Sequence, residues 1–358
     1  MKYSLLSLFL FLSLLTSQAA NPAHKFSGKV INKSGEPVTW ATVHIDNKRY
    51  AGATNVDGDF SINIPAGNYS GITGLGGNEY AVVCDKARAD GFFIFHINID
   101  PDTGVISHAY NNEFRSSGYA NRDMEGIAFV PKDTTIFISG EGDNSIKEYE
   151  LKTGKYTGRE LNVPDSLRQS APNYGFESLT YNAKQRHFWT VSESTLPIDG
   201  KPSSLKNKHQ NVLRLLCFDD SSLDMVGMYA YLMDYPEATA ESSNGYCHGV
   251  SDLCALDDGR VLVMERELFV PPLRIGAWVN NKIYVVDPTE KMTGKFIEKK
   301  LLVEFKTKFT GFKNTFANFE GMCLGPKLND GRQTLVLICD SQNQLKKLKD
   351  WIMTIIID

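Results

Sequence analysis

The chain has 358 residues, a formal net charge of −4 with both signs mixed along it, and six cysteines. This balance gives no basic surface of the kind that nucleic-acid-binding proteins carry. The longest apolar run, Leu5 to Leu15, is too short to span a membrane. Because a lysine precedes the run and small residues follow it up to Ala20, we predict a signal peptide at 1–20 and a periplasmic or secreted mature protein.

Residues 21–69 form a segment of short strands split by turn clusters. The order of its motifs, including Thr54–Ile62 and Pro65–Tyr69, resembles the opening half of a carboxypeptidase regulatory-like domain, a small β-sandwich. A half-sandwich leaves an open edge and half a core. We therefore expect this partial domain to pack on the rest of the chain as a structural appendage.

From Ser70 onward, a two-strand unit recurs. Its first strand starts at an acid or a serine, a turn follows, and the second strand ends at an acid. Paired residue numbers in an antiparallel hairpin have a constant sum, so the midpoint of each marked pair must fall in the turn. In all five units the midpoint of the marked pair falls on or beside residues typical of turns. The marked pairs are Ser70 and Asp85, Glu125 and Glu141, Glu177 and Glu193, Ser251 and Glu265, and Glu320 and Asp340.

Further strands follow each unit, so that four-stranded antiparallel sheets recur along the chain. Such recurrence is typical of a β-propeller. We predict an all-β fold with a propeller at 70–358, preceded by the small β-rich segment. Five blades can be read directly. The last unit shows only three strands, so closure of the ring by an N-terminal strand and a sixth blade built partly from residues 26–69 are both left open.

The marked residues of all units should meet at one mouth of the channel, where the longest loops also lie. Two carboxylates about 6 Å apart repel by roughly 3 kcal/mol at an effective dielectric of 20. A hard cation held by oxygens, calcium first and magnesium second, would relieve this repulsion. Alternatively, the acids bind the backbone of neighbouring blades. The predicted metal ligands are Asp85, Glu125, Glu141, Glu193, Glu265 and Asp340.

Other residues at this mouth are candidates for the chemistry itself. Glu320 and Glu177 are predicted as catalytic carboxylates, and His248 as an acid or base. An anionic substrate cannot approach a bare ring of carboxylates, so nearby bases are predicted to bind it. These predicted substrate-binding residues are Lys86, Arg122 and Arg266.

The ordered series of motifs resembles the esterase-like phytase family of exported bacterial propellers. The resemblance covers essentially all of Ser70–Asp358, and its motifs are Arg122–Gly126, Gly175–Leu179, Ser251–Leu253, Met264–Arg266, Asn318–Gly321 and Asp340–Asn343. It implies hydrolysis of a phosphoester or related ester. Two alternatives stay open: a lactonase-like propeller, and a non-catalytic binding propeller with structural calcium. We expect a monomer that acts on a small-molecule ester, with no membrane span.

The cysteines are expected to be buried in strands rather than paired, although export favours disulfides. Cys84 and Cys339 each stand one residue before the second acid of their unit. Cys247 is the exception, because it lies in a predicted loop. A bridge from Cys247 to Cys254 is therefore left open.

Overall fold

A computed structural model describes residues 68–170, 174–288, 296–310, 315–341 and 351–357 in full. Before them it gives the backbone of four strands: β1 (Ala23–Lys29) pairs with β4 (Asp59–Pro65), and β2 (Thr42–Ile45) pairs with β3 (Tyr50–Ala53), both antiparallel. The predicted signal peptide lies outside the described residues. The carboxypeptidase regulatory-like resemblance of the segment that follows it stays a prediction.

The remaining strands form five antiparallel sheets. Blade 1 has β5 (Tyr69–Gly76), β6 (Glu79–Cys84), β7 (Gly91–Ile99) and β8 (Ile106–Ser116); blade 2 has β9 (Met124–Val130), β10 (Thr135–Gly140), β11 (Ser145–Glu150) and β12 (Tyr156–Glu160); blade 3 has β13 (Phe176–Asn182), β14 (His187–Ser192), β15 (Val212–Asp219) and β16 (Met225–Leu232); blade 4 has β17 (Gly245–Ala255), β18 (Val261–Val270), β19 (Ala277–Val286) and β20 (Lys299–Phe309); blade 5 has β21 (Asn318–Lys327), β22 (Gln333–Asp340) and β23 (Ile352–Ile357). A short 3-10 helix, Asp165–Leu167, lies between blades 2 and 3.

The five sheets close into a ring. The innermost strands β5, β9, β13, β17 and β21 contact one another in this order, and β21 returns to contact β5. The predicted all-β propeller is therefore confirmed, with five blades. In the described part of the chain the ring leaves no gap for the sixth blade that the sequence left open.

The hydrophobic core lies between the blades. Side chains alternate between the two faces of a strand, so each sheet can bury both faces against its neighbours. Five clusters of buried residues follow from this, one at each junction of two blades. At the junction of blades 2 and 3, for example, the rings of Phe137 and Phe188 lie 4.4 Å apart. This packing fixes the angular position of every inner strand around the channel.

Each inner strand carries a β-bulge at its marked residue. The register shifts at Glu125 in blade 2, Glu177 in blade 3 and Glu320 in blade 5, and likewise at Ser70 and Ser251. A bulge inserts an unpaired residue and turns its side chain out of the ladder. The predicted direct pairing of the marked residues is therefore wrong, although both members of each pair do lie at the same end of the hairpin. In blade 5, Asp340 pairs with Asn318 instead of Glu320.

Close approach of the inner strands accompanies the bulges. A Cβ atom on Gly71 would overlap the carbonyl oxygen of Glu125, one on Gly126 would overlap Ser178 and Leu179, and one on Gly321 would overlap Ser70. Glycine at these positions removes the side chain that would hold the strands apart. The marked acids are thereby brought to a narrow part of the ring.

Blade 4 extends beyond the other blades at this end. Its inner strand begins at Gly245, well before the bulge at Ser251, whereas β9 begins at Met124, directly before the bulge at Glu125. The extension carries Cys247 and His248. The predicted loop around Cys247 is therefore strand.

All six cysteines are free. Those other than Cys247 are buried, as predicted, and the bridge from Cys247 to Cys254 that was left open is not formed. Among the described residues, no helix is long and apolar enough to cross a membrane.

Candidate functional site

Five carboxylates from three blades meet at the bulged end of the inner strands. Side-chain oxygens of Glu125, Glu141 and Glu177 lie within 4.8 Å of one another, and so do those of Asp85, Asp123 and Glu125. Glu125 belongs to both groups. We call these five residues the carboxylate cluster. It unites three predicted metal ligands, Asp85, Glu125 and Glu141, with the predicted catalytic Glu177.

Asp123 was missed by the sequence reasoning, although it stands two residues before Glu125. Its backbone has a positive φ of 58°, a conformation that aspartate tolerates better than most residues. Asn121 supports it, because its Oδ1 accepts a hydrogen bond from the Asp123 amide at 3.0 Å. The Asn121 side chain also donates to the carbonyl oxygens of Asp85 and Ala87 at 2.5 and 2.8 Å. Asn121 thus ties the loop of Asp123 to that of Asp85.

Burial and mutual repulsion make the cluster costly without a counter-charge. Desolvation, together with Asp85 and other acids, raises the pKa of Glu125 well above its ordinary value, and desolvation with Glu125 does the same for the pKa of Glu177. Burial also raises the pKa values of Asp85 and Glu141. One oxygen of Asp85, Oδ1, is buried without a hydrogen-bond partner. Protonation or a nearby positive charge would lower this cost.

Lys86, predicted to bind substrate, supplies part of that counter-charge. Its Nζ lies 2.6 Å from Asp85 Oδ2 and 3.0 Å from Asp123 Oδ1, and its side chain is half exposed. Lys86 therefore stands at the rim of the cluster. Its predicted role in substrate binding stays a prediction.

A second group of acids surrounds the buried Arg266. The guanidinium donates hydrogen bonds to Glu193 of blade 3 and Glu320 of blade 5, and to Asn318 Oδ1 at 3.2 Å. The thiol of Cys247 donates to Glu193 Oε1 at 2.7 Å. Arg266 thus joins three blades through charged groups. Its predicted contact with substrate stays a prediction, because the guanidinium is already held by two carboxylates.

The two groups influence each other electrostatically. Desolvation raises the pKa of Glu320 to about 7, with Arg266 opposing the shift and Asp85 and Glu193 adding to it. The pKa of Glu177 is similarly affected by Glu193 and Glu320. Six of the eight marked acids therefore influence one another, whereas the repeat predicts that all eight meet at the mouth.

Two marked acids are placed differently. Glu265 accepts hydrogen bonds from Tyr231 at 2.7 Å, from Lys299 at 2.5 Å and from the Asp234 amide at 3.1 Å. It therefore faces blade 3 instead of the carboxylate cluster. Asp340 is fully buried, and its backbone bridges Asn68 where blade 5 meets blade 1. The predicted metal roles of both residues stay predictions, without support from the described groups.

Predicted catalytic His248 lines a small cavity on one face of blade 4, with Asp234, Glu237, Glu267, Asn280 and Lys282. Its ring is buried and its Nδ1 has no hydrogen-bond partner. Desolvation and Lys282 lower its pKa to about 4, so that the ring is neutral at neutral pH. Since His248 pairs across the ladder with Glu267, it points to the opposite face from Arg266.

An open depression reaches the cluster between blades 1 and 2. Its lining includes Asp85, Lys86, Asn121, Arg122 and Asp123. The Arg122 guanidinium is fixed by hydrogen bonds that it donates, from Nη1 to Asp143 Oδ1 at 2.8 Å and from Nη2 to the Tyr149 hydroxyl at 3.0 Å. A small molecule entering here meets the half-exposed Lys86 and two carboxylates of the cluster, Asp85 and Asp123.

Comparisons with known proteins identify curated relatives of low identity. Eukaryotic translation initiation factor 3 subunit I of Neurospora crassa is 23% identical over 237 residues, which cover 65% of this chain and 64% of that protein. Its namesake from Phaeosphaeria nodorum is 27% identical over 163 residues, 45% and 46% of the two chains. The chain thus spans 64% and 46% of these relatives' lengths.

Among solved structures, the endo-arabinase of Bacteroides thetaiotaomicron is 10% identical with a TM-score of 0.43, covering 81% of this chain and 93% of that one. A family model matches residues 64–342; it describes a phytase-like family with the words "Esterase-like activity of phytase". This match takes in all five blades up to the end of β22. The chain therefore belongs to the phytase-like family.

Proposed function

We propose that this protein is a hydrolase of a small-molecule ester, foremost a phosphoester, that works with a divalent cation held by the carboxylate cluster. The observation that carries the proposal is the pair of carboxylate groups sharing Glu125. The family description, esterase-like activity of phytase, supports the reaction class. Calcium is the first choice of cation and magnesium the second, because all the donors are carboxylate oxygens.

The residues present fit such a cation. Calcium takes oxygen ligands at about 2.3–2.6 Å, so the oxygens around one ion lie within about 5 Å of one another. Both groups of the cluster meet this condition with their 4.8 Å limit. The buried Oδ1 of Asp85 accepts no hydrogen bond, so this oxygen is available to ligate a cation. Either group would therefore hold an ion: Asp85, Asp123 and Glu125, or Glu125, Glu141 and Glu177.

When bound, the cation would polarise an ester oxygen and lower the pKa of a water molecule. The protein's own groups would move the proton and orient the substrate. Glu320 is the favoured general base, because its pKa of about 7 suits proton transfer near neutral pH. Arg266 holds Glu320 in place. Lys86, half exposed at the rim, would attract and orient an anionic substrate.

The test is hydrolysis of a panel of phosphomonoesters, phosphodiesters, carboxylic esters and lactones, with calcium and with a chelator. Glu125→Gln should reduce turnover by at least about a hundredfold, because Glu125 belongs to both carboxylate groups. Asp258→Asn is the matched control, since this exposed carboxylate lies in the turn at the opposite end of blade 4. Equal turnover in Glu125→Gln and wild type would reject the proposed site.

The panel also separates the alternatives. Turnover of lactones alone would favour a lactonase-like propeller. No turnover of any member, with calcium binding intact, would favour a binding propeller in which the ion is structural. Some acids do join blades: Glu141 Oε1 accepts a hydrogen bond from the Gly175 amide at 3.1 Å. Export to the periplasm or medium, and a monomeric state, remain part of the proposal.

A further inference from the structure

We infer that the mouth face of the ring is a docking surface for anionic lipid membranes. The inference goes beyond the proposed function, because it concerns the loops around the channel and no catalytic step. In the described ranges, six exposed large apolar residues lie in segments that follow the second or fourth strand of a blade, and these strands end at the mouth. These apolar mouth residues are Tyr119, Ile198, Tyr235, Leu273, Ile275 and Trp351.

The turn between β18 and β19 presents two of them on blade 4, which extends beyond the other blades at this end. Leu273 is 86% exposed and Ile275 is 62% exposed. Hydrogen bonds hold the turn in shape: the Arg274 amide donates to the Pro271 carbonyl at 2.8 Å, and the Gly276 amide donates to a carbonyl of β20 at 2.7 Å. The turn therefore keeps two aliphatic side chains in water, and an apolar phase that covered them would stabilise the complex.

Exposed bases lie close to the apolar mouth residues in three places. The loop that carries the first base is joined to the Tyr119 loop by the hydrogen bond from the Asp90 amide to the Tyr119 carbonyl at 3.0 Å. None of these bases forms an ion pair with another described residue, so their charges are available to a partner. The bases are Arg88 near Tyr119, Lys201 three residues after Ile198, and Arg274 and Lys308 around the turn of blade 4.

This combination fits an anionic bilayer better than a soluble partner. Aliphatic side chains enter the boundary between headgroups and acyl chains, while lysine and arginine bind the lipid phosphates. A soluble polyanion would use the bases but would leave Leu273 and Ile275 in water. A stable protein interface takes about 20–30 residues a side in close fit, whereas the projecting turn would hold another protein away from the remaining loops. A bilayer admits the turn, and the docked ring would open its channel towards the headgroups.

The experiment measures co-sedimentation of the full chain with vesicles of pure phosphatidylcholine, and of phosphatidylcholine mixed equally with phosphatidylglycerol. Chelator is present throughout, so that no divalent cation can link the acids of the mouth to the lipid phosphates. Wild type should bind the mixed vesicles more tightly than the neutral ones, and high salt should weaken this binding. The double variant Leu273→Ser/Ile275→Ser should lose at least about a hundredfold in affinity, and Arg274→Gln about fivefold.

Two matched controls lie in turns at the opposite end of the ring. Val105→Ser changes an apolar side chain that is 60% exposed, and Lys152→Gln changes an exposed base between β11 and β12. Both should bind the mixed vesicles like wild type. Circular dichroism checks the fold of each variant.

A second readout separates insertion from surface adsorption. Leu273→Trp should place an indole in the bilayer, so brominated lipids should quench its fluorescence beyond the quenching seen in wild type. Val105→Trp should show no such increase.

Three outcomes would overturn the inference: no binding of wild type to the mixed vesicles, equal binding by the Leu273→Ser/Ile275→Ser variant, or no added quenching in Leu273→Trp. Binding to dextran sulfate that the double variant retains, without vesicle binding, would assign this face to a soluble polyanion instead. A dimer in sedimentation velocity that the double variant loses, again without vesicle binding, would assign it to a second copy of the chain. Vesicle binding and ester hydrolysis are measured separately, so failure of one is distinguishable from failure of the other.

Discussion

Arg266 shows how one buried side chain can hold a propeller together. It stands in blade 4 and donates to Glu193 of blade 3 and Glu320 of blade 5. Its guanidinium is the positive charge that these two buried carboxylates contact, and removing one partner of a buried ion pair is strongly destabilising. The same guanidinium limits how far the pKa of Glu320 rises. A residue that the sequence assigned to substrate binding therefore has a structural and electrostatic role.

Replacing Arg266 with methionine should lower the free energy of unfolding by about 3–5 kcal/mol, because two buried carboxylates lose their partner. Denaturant-induced unfolding measures this loss. Arg260→Met is the matched control, since its ion pair with Asp258 is about half exposed on both sides and should contribute about 0–1 kcal/mol. Full stability of Arg266→Met, with only a raised KM, would instead support a role of Arg266 in substrate binding.

The buried His248 should make stability depend on pH. Desolvation lowers its pKa from 6.5 to about 4, so the folded state favours the neutral ring. Its stabilising contribution is complete above pH 6.5 and is lost as the pH falls from 6.5 towards 4. Relative to His248→Gln, wild type should lose up to about 3 kcal/mol over this range.

Unfolding by denaturant at several pH values between about 7 and about 4 measures the effect of His248. Other groups near the ring, among them Asp234, Glu237 and Lys282, are common to both proteins and cancel in the comparison. His108→Gln, on the exposed strand β8, is the control. Parallel pH profiles for wild type and His248→Gln would show that the ring does not titrate as inferred.

At the scale of the strand, a bulge at the marked residue recurs in every blade and positions the acids. Gly71 in blade 1 illustrates the tight packing beside it, because it touches the backbone of Glu125 in blade 2. Gly74, in the same strand, would place an added Cβ at an ordinary 3.5 Å from the nearest atom. The two glycines thus form a matched pair with different surroundings.

Gly71→Ala should destabilise the protein by about 1–3 kcal/mol through overpacking, whereas Gly74→Ala should change stability by less than about 1 kcal/mol. The methyl group added at Gly71 would push against the carbonyl oxygen of Glu125 in β9. Because this would move Glu125, Gly71→Ala should also weaken calcium binding. Thermal unfolding and calcium titration test both effects. Equal behaviour of the two variants would contradict the close approach of β5 and β9.

At the scale of the whole ring, the carboxylate cluster brings together acids from blades 1, 2 and 3, and these acids repel one another. A cation bound only by the folded state should therefore stabilise the molecule by mass action, by about 2.7 kcal/mol at a hundredfold excess over Kd. Chelator should lower the melting temperature by several degrees, and calcium should restore it. An unchanged melting temperature across millimolar calcium would mean that protons and hydrogen bonds balance the cluster.

The ring should be insensitive to reducing agents. All six cysteines are free, and the core between the blades supplies the stability that small exported proteins often draw from disulfides. Wild type should show the same melting temperature with and without reductant, and thiol titration in denaturant should find six reactive groups. Fewer thiols, with a drop in melting temperature on reduction, would reveal a bridge.

The amino-acid sequence by itself determined the blades and the end of the ring where the acids lie. Turn residues and the alternation of apolar and polar residues are local signals, so each hairpin can be recognised from a few neighbouring positions. Glu125, Glu177 and Glu320 can therefore be assigned to one mouth of the ring from these local signals. The motifs around these residues also indicated the phytase-like family.

The tertiary structure alone decided which acids meet. Because of the bulges, the marked residues do not pair directly, and Asp123 belongs to the carboxylate cluster. Glu265 contacts Lys299, and Arg266 contacts Glu193 and Glu320. These outcomes depend on how far each inner strand is rotated around the ring. That rotation is set by packing between residues distant in sequence, at the junctions of neighbouring blades, and no local pattern in the chain encodes it.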